Sequence, residues 1–336
     1  MSIPEVKGGR VMTDFRGNIL DLDCSREAER ISGFIKKWVL PMRREGVVIG
    51  LSGGIDSALA SVLCVRALGQ ERVLGLILPE KESNPVSLEY ALKHARKLGI
   101  RTEVIDITPA LEGFGAYEKR DAVVRKFAPE YREDFKFKIT LPPDLLARDA
   151  FNFFTLTISD GKAPVKTVRL NKDALNGIVA ATDVKHRMRM AHLYYSAEKM
   201  NYLVCGTTNR SEVIQGFFVK YGDGGVDIEP LAHLYKTQAF RLSEHLGVIP
   251  EILSRAPSPD TFSIPVSDEE FYFRMPYDKL DLLLYAWEHQ IPINETGRVM
   301  GLTEEQVMRA FRDFASKHAA TEHLRIPPPT MSDERS

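Results

Sequence analysis

Eight consecutive residues, Gly50-Leu51-Ser52-Gly53-Gly54-Ile55-Asp56-Ser57, have the composition of a polyphosphate cradle. Glycines let the backbone turn through positive φ and approach phosphate oxygens closely, while Ser52, Ser57 and the start of a following helix supply donors to negative charge. The loop is not of the G-x-x-x-x-G-K-[ST] type, because no lysine lies within it. Asp56 would repel phosphate unless a divalent cation lay between them, so its presence argues for Mg²⁺. A Ser-Gly-Gly triplet alone could be a mere tight turn; the whole string after an apolar run points to nucleotide chemistry.

A second concentration of such residues lies downstream. Gly206-Thr207-Thr208-Asn209-Arg210-Ser211-Glu212 leads into Gly216-Phe217-Phe218-Val219-Lys220-Tyr221-Gly222-Asp223-Gly224-Gly225-Val226-Asp227. So many glycines and acids around one lysine imply an irregular backbone beside a ligand. Lys220 or Asp227 taken singly could equally be one half of a surface ion pair.

These loops need a scaffold. Ser25 onward reads as a helix with Ser25 as N-cap, Glu27 and Glu29 in its first turn, and a stripe of Ile31, Phe34, Ile35, Trp38 and Val39 that ends near Pro41. Val47–Leu51 is a short apolar strand, Ser57–Leu68 a helix, Val73–Leu78 a strand, Ser87–Leu98 a helix closed by Gly99, and Thr102–Ile107 a strand. Further on, Lys185–Met200 reads as a helix, Tyr202–Cys205 as a strand and Thr237–Leu246 as a helix. Glu304–Phe314 is an amphipathic helix that Thr303 and Gln306 start as a capping box. Strands alternating with helices predict an α/β fold: a doubly wound parallel sheet with helices on both faces and ligands at the carboxyl ends of its strands. Residues 111–175 break the rhythm with Pro129, Pro142, Pro143 and Pro164 and no clear period, which predicts an inserted lobe. Its Phe151-Asn152-Phe153-Phe154 cluster reads as a satellite core. Residues 1–24 read as a lead-in, and 25–336 as one domain carrying the insert.

Lys and Arg total 45 against 46 Asp and Glu, so no global field draws the chain to nucleic acid or anionic lipid. Its three cysteines, Cys24, Cys64 and Cys205, have no C-x-x-C spacing, which argues against a disulfide framework or a thiolate zinc site and suits a cytoplasmic protein. Cys205 reads as a small core residue. No apolar run is long enough for a signal peptide or membrane span.

The Ser52–Ser57 string resembles the PP-loop of the ATP pyrophosphatases, which cleave ATP between its α- and β-phosphates. The second cluster resembles the signature of the NAD synthase family. Leu234-Tyr235-Lys236-Thr237-Gln238, Pro257-Ser258-Pro259-Asp260, Ser267-Asp268-Glu269-Glu270, Met275-Pro276-Tyr277-Asp278, Gly301–Val307 and Arg325-Ile326-Pro327-Pro328 extend the likeness over most of the chain outside the insert. The resemblance implies an ATP-dependent amide ligase that adenylates the nicotinate carboxylate of deamido-NAD and amidates it with ammonia. It puts Asp56 and Glu212 on Mg²⁺, and Thr207, Lys236 and Ser258 on ATP beside residues 50–57. It assigns Asp183, Arg187, Lys220, Asp223, Asp227 and His323 to the dinucleotide, with Asp56, Lys220 and Lys236 as the catalytic set.

Three departures from the family pattern all fall on the acceptor side. Asp183 stands where an Asn usually precedes the Lys185, Arg187, Arg189, Met190 series, Leu324 follows His323 where a lysine is usual, and the insert is extra. Rival readings are a ligase of the same fold acting on another carboxylic acid, a PP-loop enzyme modifying tRNA by sulfur transfer, and a silent binding subunit. The tRNA reading lacks paired cysteines and a basic surface. No glutaminase portion is expected, so ammonia would arrive free or from a separate glutaminase, and the resemblance implies a homodimer.

Overall fold

The computed structural model describes residues 15–147 and 153–331, so most of the lead-in, together with Phe151 and Asn152, lies outside the described residues. From the N-terminus the chain forms α1 (Cys24–Val39), β1 (Gly46–Gly50), α2 (Ile55–Leu68), β2 (Val73–Ile77), α3 (Pro85–Leu98) and β3 (Arg101–Val104). Then come α4 (Thr108–Phe114), α5 (Ala116–Phe127), β4 (Lys136–Thr140), β5 (Thr155–Ser159), β6 (Pro164–Arg169), α6 (Lys172–Met200) and β7 (Tyr202–Cys205). The rest is helical: α7 (Arg210–Gln215), α8 (Lys236–His245), α9 (Pro250–Leu253), α10 (Tyr277–Glu288), α11 (Ile293–Met300), α12 (Glu304–Ala320) and α13 (Glu322–Arg325).

The main sheet is parallel and ordered β3-β2-β1-β7, with Val47 opposite both Val73 and Leu203. Successive strand residues face opposite sides. Val47 and Ile49 therefore join Ile31, Ile35, Leu59, Leu63 and Leu242 in a core under α1, α2 and α8, while Val48 and Val204 meet Leu111, Tyr117 and Ala197 on the other face. The order runs outward from β1 through β2 to β3, then returns to β7 on the other side of β1. That reversal opens a crevice at the carboxyl ends of β1 and β7, where a doubly wound sheet binds its ligands. A further apolar cluster, built from Ile214, Leu283, Leu284, Val307 and Phe314, packs α7, α10 and α12 together.

Several elements differ from the sequence-based expectation for identifiable reasons. Asp23, rather than Ser25, caps α1, its carboxylate accepting from the Arg26 N–H at 3.0 Å. The buried face of α1 runs through Ala28, Ile31, Ile35 and Val39. Phe34 and Trp38 stay exposed and pack edge-on against each other with ring centroids 6.3 Å apart. α6 begins at Lys172, capped by Asn171, and not at Lys185. It buries Ala174 and Ile178 in one core and Ala197 in another, so its apolar face rotates along its length and no single stripe marks it. Residues 111–175 do contain regular structure: α5 and the antiparallel sheet β4-β5-β6, in which Phe137, Ile139, Leu156 and Ile158 alternate inward between polar residues. β4 and β5 are each only five residues long, too short to stand out as a period. Thr303 does start α12 with a capping box, although the helix continues to Ala320. Among the described residues, no helix is long and apolar enough to cross a membrane.

Candidate active site

The loop after β1 is braced from within. The Ser52 N–H donates to Ser57 Oγ at 3.2 Å, the Gly54 N–H donates to Ser52 Oγ at 3.2 Å, and Ser57 Oγ donates to the Gly54 carbonyl at 3.0 Å. Gly53 has φ +73°, and a Cβ there would lie 2.3 Å from the Ser87 carbonyl, so both conformation and space require glycine. Leu51 and Ile55 point into the core and anchor the two ends. Gly54 occupies the N-cap of α2 with no side chain to satisfy the first-turn N–H groups, which leaves them for an anion.

Facing this loop is a charge cluster assembled from three distant segments. Asp56 lies in the first turn of α2, Glu212 in the first turn of α7, and Lys236 opens α8. Lys236 Nζ donates to Asp56 Oδ2 at 2.6 Å and to Glu212 Oε1 at 3.1 Å, with 3% of its side chain exposed. Asn209 ties the pieces together: Nδ2 donates to Asp56 Oδ1 at 3.2 Å, and its Oδ1 caps α7 by accepting from the Glu212 N–H at 3.1 Å. Burial, only partly offset by Lys236, pushes the Glu212 carboxyl up to about 8. Burial opposes charge on Lys236 as well, but Asp56 and Glu212 outweigh it and hold the ammonium well above its ordinary range.

Asp268 and Tyr277 complete the surroundings. The Tyr277 hydroxyl donates to Asp268 Oδ2 at 2.8 Å, and burial raises the Asp268 carboxyl although Lys236 opposes this. Behind them Asp281 fixes two neighbours, accepting from Ser211 Oγ at 2.6 Å and from the Thr237 N–H at 2.7 Å. One ammonium thus faces more carboxylates than it can neutralise. A divalent cation would correct that excess, and Asp56 and Glu212 offer the hard oxygen donors that Mg²⁺ requires. Among the described residues, no group of three or more His, Cys, Asp or Glu side chains is arranged to hold a metal alone, so phosphate and water oxygens would fill the remaining positions.

Residues expected on the acceptor side also converge, around α6 and the loop after α7. Arg187 Nη2 stands 3.9 Å from Asp183 Oδ2, and Arg187 Nε donates to the Lys220 carbonyl at 3.3 Å. Lys220 Nζ donates to the carbonyls of His323 (2.6 Å) and Ile326 (3.2 Å), so the main chain of the C-terminal segment, rather than the His323 ring, meets Lys220. Asp223 accepts from the Val219 N–H at 2.8 Å, and Asp227 accepts from Tyr194 Oη at 3.1 Å and the Val204 N–H at 2.7 Å. Burial, opposed by Arg187, pushes the Asp183 carboxyl up to about 6.

Thr207 follows β7 directly, on the crevice side of the sheet. Ser258 accepts from the Asp260 N–H at 3.2 Å and lines a cavity of about 890 Å³ between residues 81–85, 133–136 and 255–270. Cys205 is buried with its sulfur 3.6 Å from that of Cys64; this contact and burial hold its thiol protonated, as befits a core residue. Asn209 and Asp268 lie within strings that carry the family resemblance and Asp281 three residues past one of them, but their types and spacing assign none of them a task. The Asn209-x-x-Glu212 spacing of a capping box was the one local signal available for Asn209.

A family model for NAD synthase matches residues 27–140 and 150–328. The NH(3)-dependent NAD(+) synthetase of Mesorhizobium japonicum is 45% identical over 311 residues, which span 92% of this chain and 97% of that protein. The NH(3)-dependent NAD(+) synthetase of Thermotoga maritima is 39% identical over 260 residues, covering 77% and 86% of the two chains. Among solved structures, the NMN synthetase from Francisella tularensis superposes with a TM-score of 0.63 at 24% identity, over 92% of this chain and 99% of that one. The NH3-dependent NAD synthetase from Campylobacter jejuni gives 0.61 at 23%, over 93% and 100%. These two likenesses bear on the fold, whereas the family match and the sequence relatives bear on descent. With its loop, its carboxylate pair and its lysine all inside the matched residues, the chain belongs to the NAD synthase family.

Proposed function

We propose that this site joins ATP and the nicotinate carboxylate of deamido-NAD, then replaces AMP by ammonia to give NAD. The observation that carries the reading is the meeting of Asp56, Glu212 and Lys236 beside the glycine-rich loop at the switch point of the sheet. In the first step a carboxylate oxygen attacks the α-phosphorus, the bond from that phosphorus to the bridging oxygen breaks, and pyrophosphate leaves. In the second, ammonia attacks the acyl carbon, AMP departs with the bond electrons, and the new amide sheds a proton. The nucleophilic carboxylate is already ionised, so placement and charge compensation supply most of the rate.

The residues divide accordingly. Residues 50–57 bind phosphate oxygens through N–H and hydroxyl groups, Thr207 and Ser258 flank the nucleotide, and Lys236 fixes the carboxylates. Asp56 and Glu212 would hold Mg²⁺, which when bound neutralises charge on the phosphates. Arg187, Lys220, Asp223, Asp227 and the His323 segment would receive the dinucleotide, with Asp183 beside Arg187. We take residues 25–336 as one catalytic unit that carries the 111–175 lobe and works as a homodimer on ammonia taken free or from a separate glutaminase. The three cysteines are free thiols, which suits the cytoplasm.

The test is pyrophosphate release by purified protein with ATP, Mg²⁺ and ammonium, offering deamido-NAD in one arm and other small carboxylic acids in another. Release that depends on deamido-NAD, with NAD as product, is expected. Release with another acid but none with deamido-NAD would overturn the acceptor.

A further inference from the structure

The leaving group of this reaction raises a question of charge. Pyrophosphate carries several negative charges away from the α-phosphorus, and cations near it lower the barrier to its departure. The loop of residues 50–57 contains no lysine, and Lys236 is committed to two carboxylates. Beyond the Mg²⁺ that Asp56 and Glu212 would hold, a further side-chain cation at the outer phosphates would have to come from outside this loop.

Arg255, two residues past α9, is placed for it. Nη2 donates to Ser87 Oγ at 2.9 Å, and that hydroxyl donates onward to Asp260 Oδ2 at 2.9 Å. Nη1 reaches the Gly53 carbonyl at 3.4 Å. Both partners of the guanidinium are neutral, and the second contact is longer than a good hydrogen bond. The charge is thus not cancelled by direct pairing, and one edge of the fork is weakly held. Arg255 also lines the cavity of about 890 Å³ beside Ser258, so it stands between the phosphate loop and open space. A planar guanidinium so placed can give up the Gly53 carbonyl for two phosphate oxygens, the pairing its geometry favours.

We propose that Arg255 binds the β- and γ-phosphates of ATP and holds pyrophosphate as it forms. This assignment rests on the adenylating reading given above. It also gives the segment 255–260 a reason to touch the phosphate loop: the arginine carries Ser258 with it to the nucleotide.

Titration calorimetry on the full chain, with inorganic pyrophosphate plus Mg²⁺ as one probe and AMP as the other, tests it in wild type, Arg255→Gln, Arg255→Lys and Arg255→Met. Gln keeps N–H donors for Gly53 and Ser87 but has no charge; Lys keeps charge but loses the fork. The expected result is pyrophosphate binding weakened roughly ten- to a hundred-fold in Gln and Met, less in Lys, with AMP binding unchanged. If Gln binds pyrophosphate as wild type does, Arg255 is only a tether and the assignment falls. Wild type that binds neither pyrophosphate nor AMP would instead overturn the adenylating reading, and this assignment with it. Should Arg255→Met melt below the assay temperature, the Gln and Lys comparison still decides.

Discussion

Lys236 Nζ lies 2.6 Å from Asp56 Oδ2, joining two side chains 180 residues apart, and the same ammonium reaches Glu212. The contact gives the partly buried Asp56 carboxylate a counter-charge. Asp56→Asn is expected to lower pyrophosphate release by about a hundred-fold or more, because it removes an oxygen donor and a charge at the phosphate site. Its melting temperature should change little, since Lys236 keeps Glu212. Full turnover of this variant at low Mg²⁺ would refute the metal-ligand role. Glu212→Gln should lose activity as well and recover part of it at high Mg²⁺.

Removing the cation is a different experiment. Lys236→Met leaves buried carboxylates without a counter-charge, a change that costs about 3–5 kcal/mol in other buried pairs. Urea denaturation should show that loss, and the double variant Lys236→Met/Asp56→Asn should be less destabilised than the sum of its parts. Strict additivity would mean that the two side chains do not interact in solution.

Asp183 predicts a pH dependence with a definite sign. Its folded value, pushed up to about 6 by burial, lies above the ordinary 3.8, so the native state holds a proton that the unfolded chain releases. The stability this supplies is full below pH ~4 and declines as pH rises through ~6. Asp183→Asn escapes the decline. Its advantage over wild type should be about 1–3 kcal/mol at pH 7 and vanish near pH 4, read from melting curves across that range. The same variant frees Arg187, whose guanidinium now faces Asp183, so the KM for deamido-NAD should fall. A KM that rises instead would mean that the carboxylate itself contacts the acceptor.

Gly53→Ala tests the loop as a shape. The new methyl would meet the Ser87 carbonyl at 2.3 Å on a backbone with φ +73°, so the loop must shift. Overpacking of this kind typically costs about 1–3 kcal/mol, and a displaced phosphate cradle should slow pyrophosphate release by roughly ten-fold or more. A variant as fast and as stable as wild type would show that the loop is freer than its contacts imply.

The parts of the site legible in the sequence are those whose physics is local. Residues 50–57 announce a tight glycine turn into a helix within eight positions, and Thr303 with Gln306 announces the start of α12, because glycine turns and capping boxes act over one turn of chain. Asp56, Glu212 and Lys236 could be grouped only through family resemblance, since nothing in their spacing brings them together. Arg255 gave no signal and Asp268 only a place in the family likeness; what they touch depends on how residues 255–268 lie across the loop and the insert. Asp23 caps α1 where Ser25 was expected because both residue types suit that position and the helix begins at Cys24. The insert strands were missed because only two inward residues apiece mark β4 and β5.

The strand order also sets a timetable for synthesis. β1 can pair with β2 once both have left the ribosome, but its other edge must wait for β7, which begins at Tyr202. At about 5–20 residues per second, the chain between Gly50 and Tyr202 takes roughly eight to thirty seconds to emerge. For that interval a wholly apolar strand, Val47-Val48-Ile49, presents unpaired N–H and C=O groups to whatever is nearby. A nascent chain of this protein should therefore engage chaperones most strongly between the appearance of β3 and that of β7, and a pause in translation placed just before Tyr202 should lower its soluble yield more than the same pause placed after Cys205.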